Sequence, residues 1–233
     1  MEQEIERYNT RLKNASPREI IGFFAEEFKG RIAFATSLGA EDQVITEMIA
    51  GIDPALRIFT LDTGRLFQET YDLLDITRKK YGLNIRVCFP KAGDVEEMVN
   101  KKGINLFYDS VENRKMCCFV RKTESLQRAL QGMDAWICGL RKDQSVTRQE
   151  VKTVEWDDIQ KMIKVNPLAN WDLDTVWNYI RSQKIPYNTL HDKGYPSIGC
   201  LPCTRAVLPG EDIRSGRWWW ESPENRECGL HRK

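Results

Sequence analysis

Apolar residues along the chain fall into short runs that fit buried strands and into longer stretches with helical spacing. The two kinds of segment alternate, with short connections between them. Such alternation is typical of an α/β protein whose parallel sheet is covered by helices. The predicted strands are residues 31–36, 56–61, 85–89, 135–140 and 161–165. The predicted helices begin after residue 16 and cover 41–50, 66–81, 94–101, 117–130 and 173–182.

Two helix ends have recognisable boundary residues. Ser16, Pro17 and Glu19 predict a helix start, because Ser is a good N-cap, Pro fits the first turn and Glu completes a capping box. Gly51 predicts the end of the helix over 41–50, since glycine is the usual residue just past a helix. From residue 185 onward Pro, Gly, Cys and Trp replace the periodicity, which predicts an irregular C-terminal extension.

Composition narrows the classes of function. A length of 233 residues suits one domain, or one domain with a short appendage. The net charge of +1 gives no whole-chain attraction to nucleic acid or to a membrane surface, and we expect neither as a partner. The acidic N-terminus lacks the apolar run of a secretory signal, and no stretch is apolar enough to cross a bilayer. Seven cysteines without such a signal predict a reducing, cytoplasmic location, where paired cysteines bind metals or do redox chemistry.

Three strand ends carry residues suited to binding an anion. Ligands of a parallel sheet bind beyond the carboxyl ends of its strands, and free N–H groups at a helix start attract anions. The turn 37–42 joins a strand to a helix in this way, and the turn 62–65 adds the guanidinium of Arg65. In the loop 139–148, Arg141 is joined by further cations. Tight connections without a ligand, and a plain charged loop, are the structural alternatives.

The cysteines differ in their surroundings. Cys88 and Cys138 lie inside predicted apolar strands, and we expect both in the core, where free cysteine is common. Cys200 and Cys203 lie two residues apart in a loop rich in Gly and Pro, where a knuckle can direct two thiolates at one metal. A redox dithiol is the rival interpretation, although such pairs normally open a helix after a strand.

The adjacent pair Cys117 and Cys118 is unusual. Neighbouring side chains of a strand point to opposite faces, so both can reach one centre only from a helix start or an irregular turn. Zinc knuckles prefer two to four residues between their cysteines, and a four-cysteine iron–sulfur cluster fits this spacing better. Spacing alone leaves zinc and plain core cysteines open.

Cys228 has no partner cysteine nearby. It stands in the segment 227–231 with His231, which could supply a positive charge or a hydrogen bond to a thiolate. A thiolate is the reactive form of cysteine, and nearby cations lower its pKa. The alternative is an exposed tail cysteine of no consequence.

Several separated motifs together resemble the assimilatory sulfonucleotide reductases, which act on adenylyl sulfate or phosphoadenylyl sulfate. The resemblance covers nearly the whole chain, and the last motif is highly specific in that family. The motifs are Leu61-Asp62-Thr63-Gly64, Cys117-Cys118 with Arg121-Lys122, Gly139-Leu140-Arg141, Tyr195-Pro196-Ser197-Ile198-Gly199-Cys200 with Cys203, and Glu227-Cys228-Gly229-Leu230-His231.

The resemblance implies a modified nucleotide-binding fold of the adenine nucleotide α-hydrolase type. It divides the chain into an α/β sulfonucleotide-binding domain with a cluster loop, residues 1–205, and a mobile tail that carries the nucleophile, residues 206–233. One departure from the wider superfamily stands in the first turn, where Leu38 replaces the second small residue. A backbone with Leu there cannot approach a pyrophosphate as closely, which disfavours ATP pyrophosphatase chemistry.

The resemblance also implies a reaction. The cysteine matching Cys228 attacks the sulfur of the sulfonucleotide, with help from His231, and a thioredoxin or glutaredoxin then releases sulfite. Cations must cancel the repulsion between a thiolate and a sulfate. The predicted catalytic residues are Cys228 and His231. The predicted substrate-binding residues are Ser37, Gly39, Asp62, Thr63, Gly64, Lys122, Arg141, Arg214 and Arg217.

The cluster-bearing branch of this family has cysteines that match Cys117, Cys118, Cys200 and Cys203, which implies one four-iron four-sulfur (4Fe-4S) cluster. The cluster is expected to position residues and shape the local field, since thiols carry the electrons. Adenylyl sulfate is the expected substrate in sulfate assimilation and cysteine biosynthesis. Phosphoadenylyl sulfate, a non-catalytic iron–sulfur sensor and a tRNA-thiolating relative are the alternatives, and homo-oligomerisation is left open.

Overall fold

The structure, a computed structural model, describes residues 2–144 and 150–222. Its α-helices are α1 Glu2–Arg11, α2 Pro17–Glu27, α3 Ala40–Ile52, α4 Gln68–Tyr81, α5 Ala92–Lys102, α6 Val111–Cys118, α7 Glu124–Ala129 and α8 Leu173–Ser182. Its strands are β1 Ile32–Thr36, β2 Arg57–Leu61, β3 Ile85–Cys88, β4 Ala135–Ile137, β5 Val154–Asp157 and β6 Met162–Val165. No helix within the described ranges is long and apolar enough to cross a membrane.

The strands form one sheet in the order β3-β2-β1-β4-β6-β5. Strand β1 pairs in parallel with β2 and with β4, and β4 pairs in parallel with β6. The register places Phe34 of β1 opposite Ile58 and Ile137. This confirms the α/β class and the predicted parallel sheet. The prediction missed β5, which runs antiparallel to β6 at the sheet edge.

Two compact units divide the chain. The first comprises residues 1–60, 70–86 and 132–188, and the second comprises 61–69, 87–131 and 189–233. The core of the first unit is built from inward side chains of the sheet and of the helices packed on it, including Phe24, Phe34 and Ile45. The second unit has its own smaller cluster, which includes Phe107 and Trp218. The predicted boundary between residues 205 and 206 stays a prediction.

Helix boundaries show where local sequence suffices. Ser16 caps α2, its side chain accepts from the N–H of Glu19, and the Glu19 carboxylate accepts from the N–H of Ser16, which confirms the capping box. The predicted stop at Gly51 is wrong, because α3 continues to Ile52 and its C-cap is Asp53. The burial of Ile49 and the partial burial of Ile52 hold that last turn against the core.

Helix α1 is absent from the prediction, because its residues are mostly polar and few of them are apolar. Tyr8 is its buried residue, and it packs edge-on against Phe23 and Phe24. Asn9 adds two hydrogen bonds with the backbone of Val154 on the edge strand β5. The helix is therefore held by contacts with distant segments that local periodicity cannot reveal.

The segment predicted as one helix over 117–130 is wrong in its bounds and in its regularity. Helix α6 begins earlier, at Val111, where Ser110 caps it by accepting from the N–H of Asn113 at 3.1 Å. It ends at Cys118 and passes directly into a π-helical turn, Phe119–Thr123, before α7. A π turn is wider than an α turn, so it changes the direction in which successive side chains point.

Candidate functional site

The four cysteines predicted as metal ligands line one pocket of the second unit. Cys117 and Cys203 are buried, and Cys118 and Cys200 are half-buried. The pocket volume, counted out to open solvent, is about 410 Å3. The two pairs, more than eighty residues apart in sequence, are therefore neighbours in the fold. Their shared pocket makes them the candidate ligands for a cluster of several metal ions.

Cys117 and Cys118 reach the same pocket from the end of a helix. The sequence predicts a helix start or an irregular turn, and the structure instead places both cysteines in the last turn of α6, just before an irregular turn. Cys118 is the last residue of α6, and the π-helical turn Phe119–Thr123 begins at the next residue. Because π turns are frequent at functional sites, this irregularity supports a functional role for the segment.

Cys200 and Cys203 are held by a short 3₁₀ turn, Leu201–Cys203. The N–H of Cys203 donates to the carbonyl of Cys200 at 3.0 Å, and the hydroxyl of Thr204 donates to the same carbonyl at 2.9 Å. Leu201 donates its N–H to the carbonyl of Arg65 at 2.8 Å, which ties the turn to the segment after β2. The pair therefore lies in a compact turn, and its role as a metal-binding knuckle stays a prediction.

Cations surround the cysteines. The guanidinium of Arg121 donates to the carbonyl of Thr63 at 2.7 Å and also interacts with Cys117. No carboxylate lines this pocket within the described parts of the chain. Such a lining favours thiolates and other anions over neutral thiols. The cationic residues of the lining are Arg65, Arg114, Arg121, Lys122 and Arg217.

Burial works against these charges. It raises the pKa of the Cys203 thiol to about 12, and the neighbouring cysteines raise that pKa further while Arg217 opposes them. Burial also raises the pKa of Cys117, with Arg121 opposing it. Four ionised sulfurs in this pocket therefore need a positively charged centre among them as well as cations around them.

Buried donors face the same pocket. Nε of Arg121, Nε of Arg217 and Nε1 of Trp218 have no hydrogen-bond acceptor within the described residues, although each is buried. Unpaired buried N–H groups are costly, and they mark places where an additional acceptor belongs. All three residues line the pocket.

The described lining of the cysteine pocket does not have the geometry of a single-ion site. Within residues 2–144 and 150–222, no three His, Cys, Asp or Glu side chains are close enough together to hold one metal ion. A cluster of several irons is a larger body, and it holds its thiolates farther apart than a single ion does.

The turn after β2 supports the cysteines. The side chain of Asp62 accepts from the N–H of Gly64 at 2.7 Å, and Gly64 has a φ of 72°, which favours glycine. The hydroxyl of Thr63 lies 3.2 Å from the sulfur of Cys200. These three residues are predicted for substrate binding, and the contacts that the structure gives them run within the turn and to a predicted metal ligand.

Arg217 and Lys122 line the cysteine pocket, and their predicted substrate contacts stay predictions. The Arg217 guanidinium lies 4.5 Å from the ring centroid of Trp218 and donates to the carbonyl of Ile198 at 3.4 Å. A Cβ at Gly199 would overlap this guanidinium, so the glycine permits its close approach. Arg214 is half-buried, and its N–H donates to the side chain of Asp212.

The predicted anion turn of the first unit is occupied by its own carboxylate. Both the N–H and the hydroxyl of Ser37 donate to Oδ2 of Asp42 at 2.6 Å. Burial raises the pKa of Asp42 to about 6, and the two Ser37 donors oppose that shift. Leu38 has a φ of 61°, a conformation that a bulky residue rarely adopts. Gly39 is the N-cap of α3, with no side chain to cap it.

Arg141 is also paired within the first unit. Its side chain is 1% exposed, and its Nε donates to Oε1 of Glu41 at 2.8 Å. Its Nη1 donates to the carbonyl of Trp171 and lies 3.5 Å from a carboxylate oxygen of Asp143. As described, its charge is neutralised by protein carboxylates, and its predicted substrate contact stays a prediction.

Four further residues are predicted as core or catalytic residues. Cys88 and Cys138 are buried, which confirms them as core residues. Cys228 and His231 lie outside the described residues.

The prediction overlooked Arg114 and Glu221, which form a buried ion pair beside the cysteines. An arginine one helical turn before Cys117 was the available signal, but its partner is 107 residues away.

Comparison with known proteins agrees with these motifs. Residues 31–206 match the phosphoadenosine phosphosulfate reductase domain. The adenosine 5'-phosphosulfate reductase of Allochromatium vinosum is 54% identical over 202 residues, which cover 87% of this chain and 79% of that protein. The protein of the same name from Sinorhizobium fredii (strain NBRC 101917 / NGR234) is 46% identical and covers 99% of this chain and 92% of its own. The chloroplastic 5'-adenylylsulfate reductase 3 of Arabidopsis thaliana is 46% identical over 99% of this chain and 52% of its own.

Solved structures give the same fold. The phosphoadenylyl-sulfate (PAPS) reductase of Candida auris, solved with phosphate, has a TM-score of 0.77 and 31% identity, over 89% of this chain and 98% of that one. The FMN adenylyltransferase of Candida glabrata has a TM-score of 0.57 at 16% identity, over 97% of this chain and 75% of that one, and supports the fold alone. With the family model spanning most of the sequence and relatives near 50% identity, this chain belongs to the phosphoadenosine phosphosulfate reductase domain family.

Proposed function

We propose that the protein is a thioredoxin-dependent adenylyl-sulfate reductase of assimilatory sulfate reduction. The relatives between 46% and 54% identical carry the adenylyl-sulfate name, which supports this substrate. The structural observation that carries the proposal is the convergence of four cysteines and five cations on one pocket. The six cysteines within the described residues are free thiols, which suits the reducing cytoplasm that we propose as the location.

A 4Fe-4S cluster is part of the proposal. Cys117, Cys118, Cys200 and Cys203 would hold it, and the residues fit it in two respects. The donor set is entirely sulfur, as such clusters require. Three buried N–H groups of the lining have no acceptor within the described chain, and cluster sulfur would supply one. When bound, the cluster would supply positive charge at its irons and a fixed framework for the residues around it.

The first chemical step belongs to Cys228. Its thiolate attacks the sulfur of adenylyl sulfate, a sulfur–sulfur bond forms, and the bond from sulfur to the bridging oxygen breaks. AMP leaves with the electron pair of the broken bond, and the enzyme holds a cysteine S-sulfonate. His231 is proposed to assist the thiolate or the sulfonyl oxygens.

The second step restores the enzyme. A thioredoxin thiolate attacks the sulfur of Cys228 and displaces sulfite, which forms a mixed disulfide. The second thioredoxin thiol then closes the disulfide of the thioredoxin and returns the Cys228 thiol. The two electrons of the reduction therefore come from the dithiol, and glutaredoxin could serve by the same chemistry.

Cations make the first step feasible. A thiolate that approaches a sulfate meets like charge, and the leaving phosphate gains charge as the bond breaks. Lys122, Arg214 and Arg217 of the second unit are proposed to offset both charges. Arg217 is well prepared, because it is stacked on Trp218 and has a buried Nε with no acceptor within the described residues.

The competing substrate is phosphoadenylyl sulfate, the substrate named for the Candida auris relative at 31% identity. An enzyme that uses it needs an added cationic contact for the 3′-phosphate. Comparison of kcat/KM for the two nucleotides decides the matter. A preference for adenylyl sulfate is expected, and a preference for the phosphorylated form would contradict this part of the proposal.

The test of the reaction is replacement of the nucleophile. The Cys228→Ser variant is expected to form no radiolabelled S-sulfonate and no sulfite, while it keeps the iron, sulfide and visible absorption of the wild-type protein purified anaerobically. Turnover by this variant would refute the assignment of Cys228. A colourless wild-type protein that contains zinc would refute the cluster and leave the test of Cys228 intact.

A further inference from the structure

A buried ion pair joins helix α6 to the end of the described chain. Nε of Arg114 donates to Oε1 of Glu221 at 2.9 Å, and Nη2 donates to Oε2 at 2.7 Å. The two side chains are 0% and 2% exposed. Two parallel bonds between planar groups fix their mutual orientation as well as their distance.

Arg114 also contacts the cysteine site. It lies one helical turn before Cys117, lines the cysteine pocket and is hydrogen-bonded with Cys118. Its guanidinium lies 4.8 Å from the ring centroid of Trp218. One side chain therefore contacts a proposed cluster ligand, the residue Trp218 and the carboxylate of Glu221.

Glu221 belongs to a turn that is fastened to the other cysteine pair. Its N–H donates to the carbonyl of Trp218 at 2.8 Å, and the N–H of Trp218 donates to the carbonyl of Cys203 at 3.2 Å. Glu221 precedes Cys228 by seven residues. Seven residues span at most about 25 Å when fully extended, so the anchor at Glu221 limits where Cys228 can reach.

A contribution to folding stability does not by itself explain why Arg114 and Glu221 are buried as an ion pair. A buried ion pair is often no more stabilising than two apolar side chains of similar volume, because both charges lose their water. What an ion pair with two parallel bonds adds is geometry. Here the geometry relates the α6 cysteines to the residues that lead into the tail.

We propose that Arg114 and Glu221 are positioning residues that hold residues 218–221 against Cys118. The pair thereby fixes the spacing between the cysteine site and the start of the chain that carries the nucleophile. This inference rests on the proposed function, since it takes Cys228 as the nucleophile and Cys118 as a cluster ligand.

The main test is Glu221→Gln, assayed by single-turnover formation of the S-sulfonate from labelled adenylyl sulfate. The expected result is a rate about tenfold to a hundredfold lower, because small misplacements of reacting groups have effects of that size. KM for adenylyl sulfate and the iron and sulfide content are expected to stay at wild-type values. Amide hydrogen exchange at residues 214–222 is expected to become faster.

A double variant separates geometry from stability. Arg114→Met with Glu221→Leu leaves no charge without a partner, so it is expected to fold, but it lacks the directional bonds. We expect slow S-sulfonate formation and an altered iron–sulfur stretching pattern in resonance Raman spectra, because the bond from Arg114 to Cys118 is lost. A wild-type rate with wild-type exchange protection would show that the pair only fills space, and would overturn the proposal.

The matched control is Glu211→Gln. Glu211 pairs with Arg205 in the same part of the chain, but those side chains are 30% and 35% exposed. This variant is expected to keep the wild-type rate and exchange pattern, and a loss equal to that of Glu221→Gln would overturn the specific role of the buried pair. Loss of iron in Glu221→Gln would also overturn it. A wild-type protein that forms no S-sulfonate would refute the proposed function, whereas the exchange measurement would still test the pair.

Discussion

The turn at Ser37 in the first unit and the cysteine pocket of the second unit differ in how their charges are matched. In the first unit, Ser37 donates to Asp42 and Arg141 pairs with Glu41, so nearby carboxylates already occupy the donors. The cysteine pocket is lined by cations and has no carboxylate in its described lining. A concentration of polar donors in a sequence therefore predicts an anion site only where the fold leaves those donors without protein acceptors.

The largest contrast should appear on replacing one cysteine in each unit. Cys203→Ser is expected to lose most of its iron and its visible absorption, because a buried ligand position loses its thiolate. Cys138→Ser is the matched control, since Cys138 is equally buried but lies in the core of the first unit. It is expected to bind iron like the wild type. Iron and sulfide analysis of anaerobically purified protein measures both, and stoichiometric iron in Cys203→Ser would contradict the ligand assignment.

Two arginines should separate stability from rate. Arg141→Gln leaves Glu41 without its buried partner, and the free energy of unfolding is expected to fall by about 3 kcal/mol. Arg217→Gln leaves no described carboxylate unpaired, so its stability should change little, while S-sulfonate formation should fall about a hundredfold. Urea unfolding and single-turnover kinetics on both variants supply the measurement. The proposed difference between the two arginines would be refuted if Arg141→Gln kept the wild-type free energy of unfolding and only formed the S-sulfonate more slowly.

The smallest expected effect concerns pH. Burial raises the folded-state pKa of Asp42 from 3.8 to about 6, so the folded protein binds this proton more tightly than the unfolded chain. The contribution of Asp42 to stability is therefore most favourable below pH 3.8 and is lost as the pH rises through about 6. About two pKa units correspond to at most about 3 kcal/mol.

The Asp42→Asn variant provides the reference for this pH effect. The difference in unfolding free energy between wild type and variant, measured from pH 4 to pH 7, is expected to move in favour of the variant as the pH rises. A difference that does not change with pH would show that burial does not raise the pKa of Asp42 in the folded protein.

Much of the fold could be predicted because its causes are local. The buried runs that became β1 and β2 have apolar side chains on both faces, and the capping box at Ser16 needs only residues within four positions. Helix α1 and the edge strand β5 could not be predicted in this way. Tyr8 and Asn9 are held by residues far away in sequence, including Val154.

The site shows the same division. Spacing and motif predicted that Cys117, Cys118, Cys200 and Cys203 belong together, and they line one pocket. The pairing of Arg114 with Glu221 was unpredictable, because it needs the three-dimensional contact between segments 107 residues apart. The contact of Thr63 with Cys200 is another case, since a threonine in a strand-end turn carries no mark of a sulfur partner.

The π-helical turn Phe119–Thr123 makes the helical phase of this segment part of the site. Each residue of an α-helix advances the side-chain direction by about 100°. Removing one residue from the turn would therefore rotate the side chains of α6 relative to those of α7 by a similar angle. Arg121 and Lys122 lie inside the turn, which begins directly after the two cysteines. A Cys-Cys pair placed in an ordinary helix would therefore not reproduce this pocket, and a one-residue deletion here should be far more damaging than a conservative substitution at the same position.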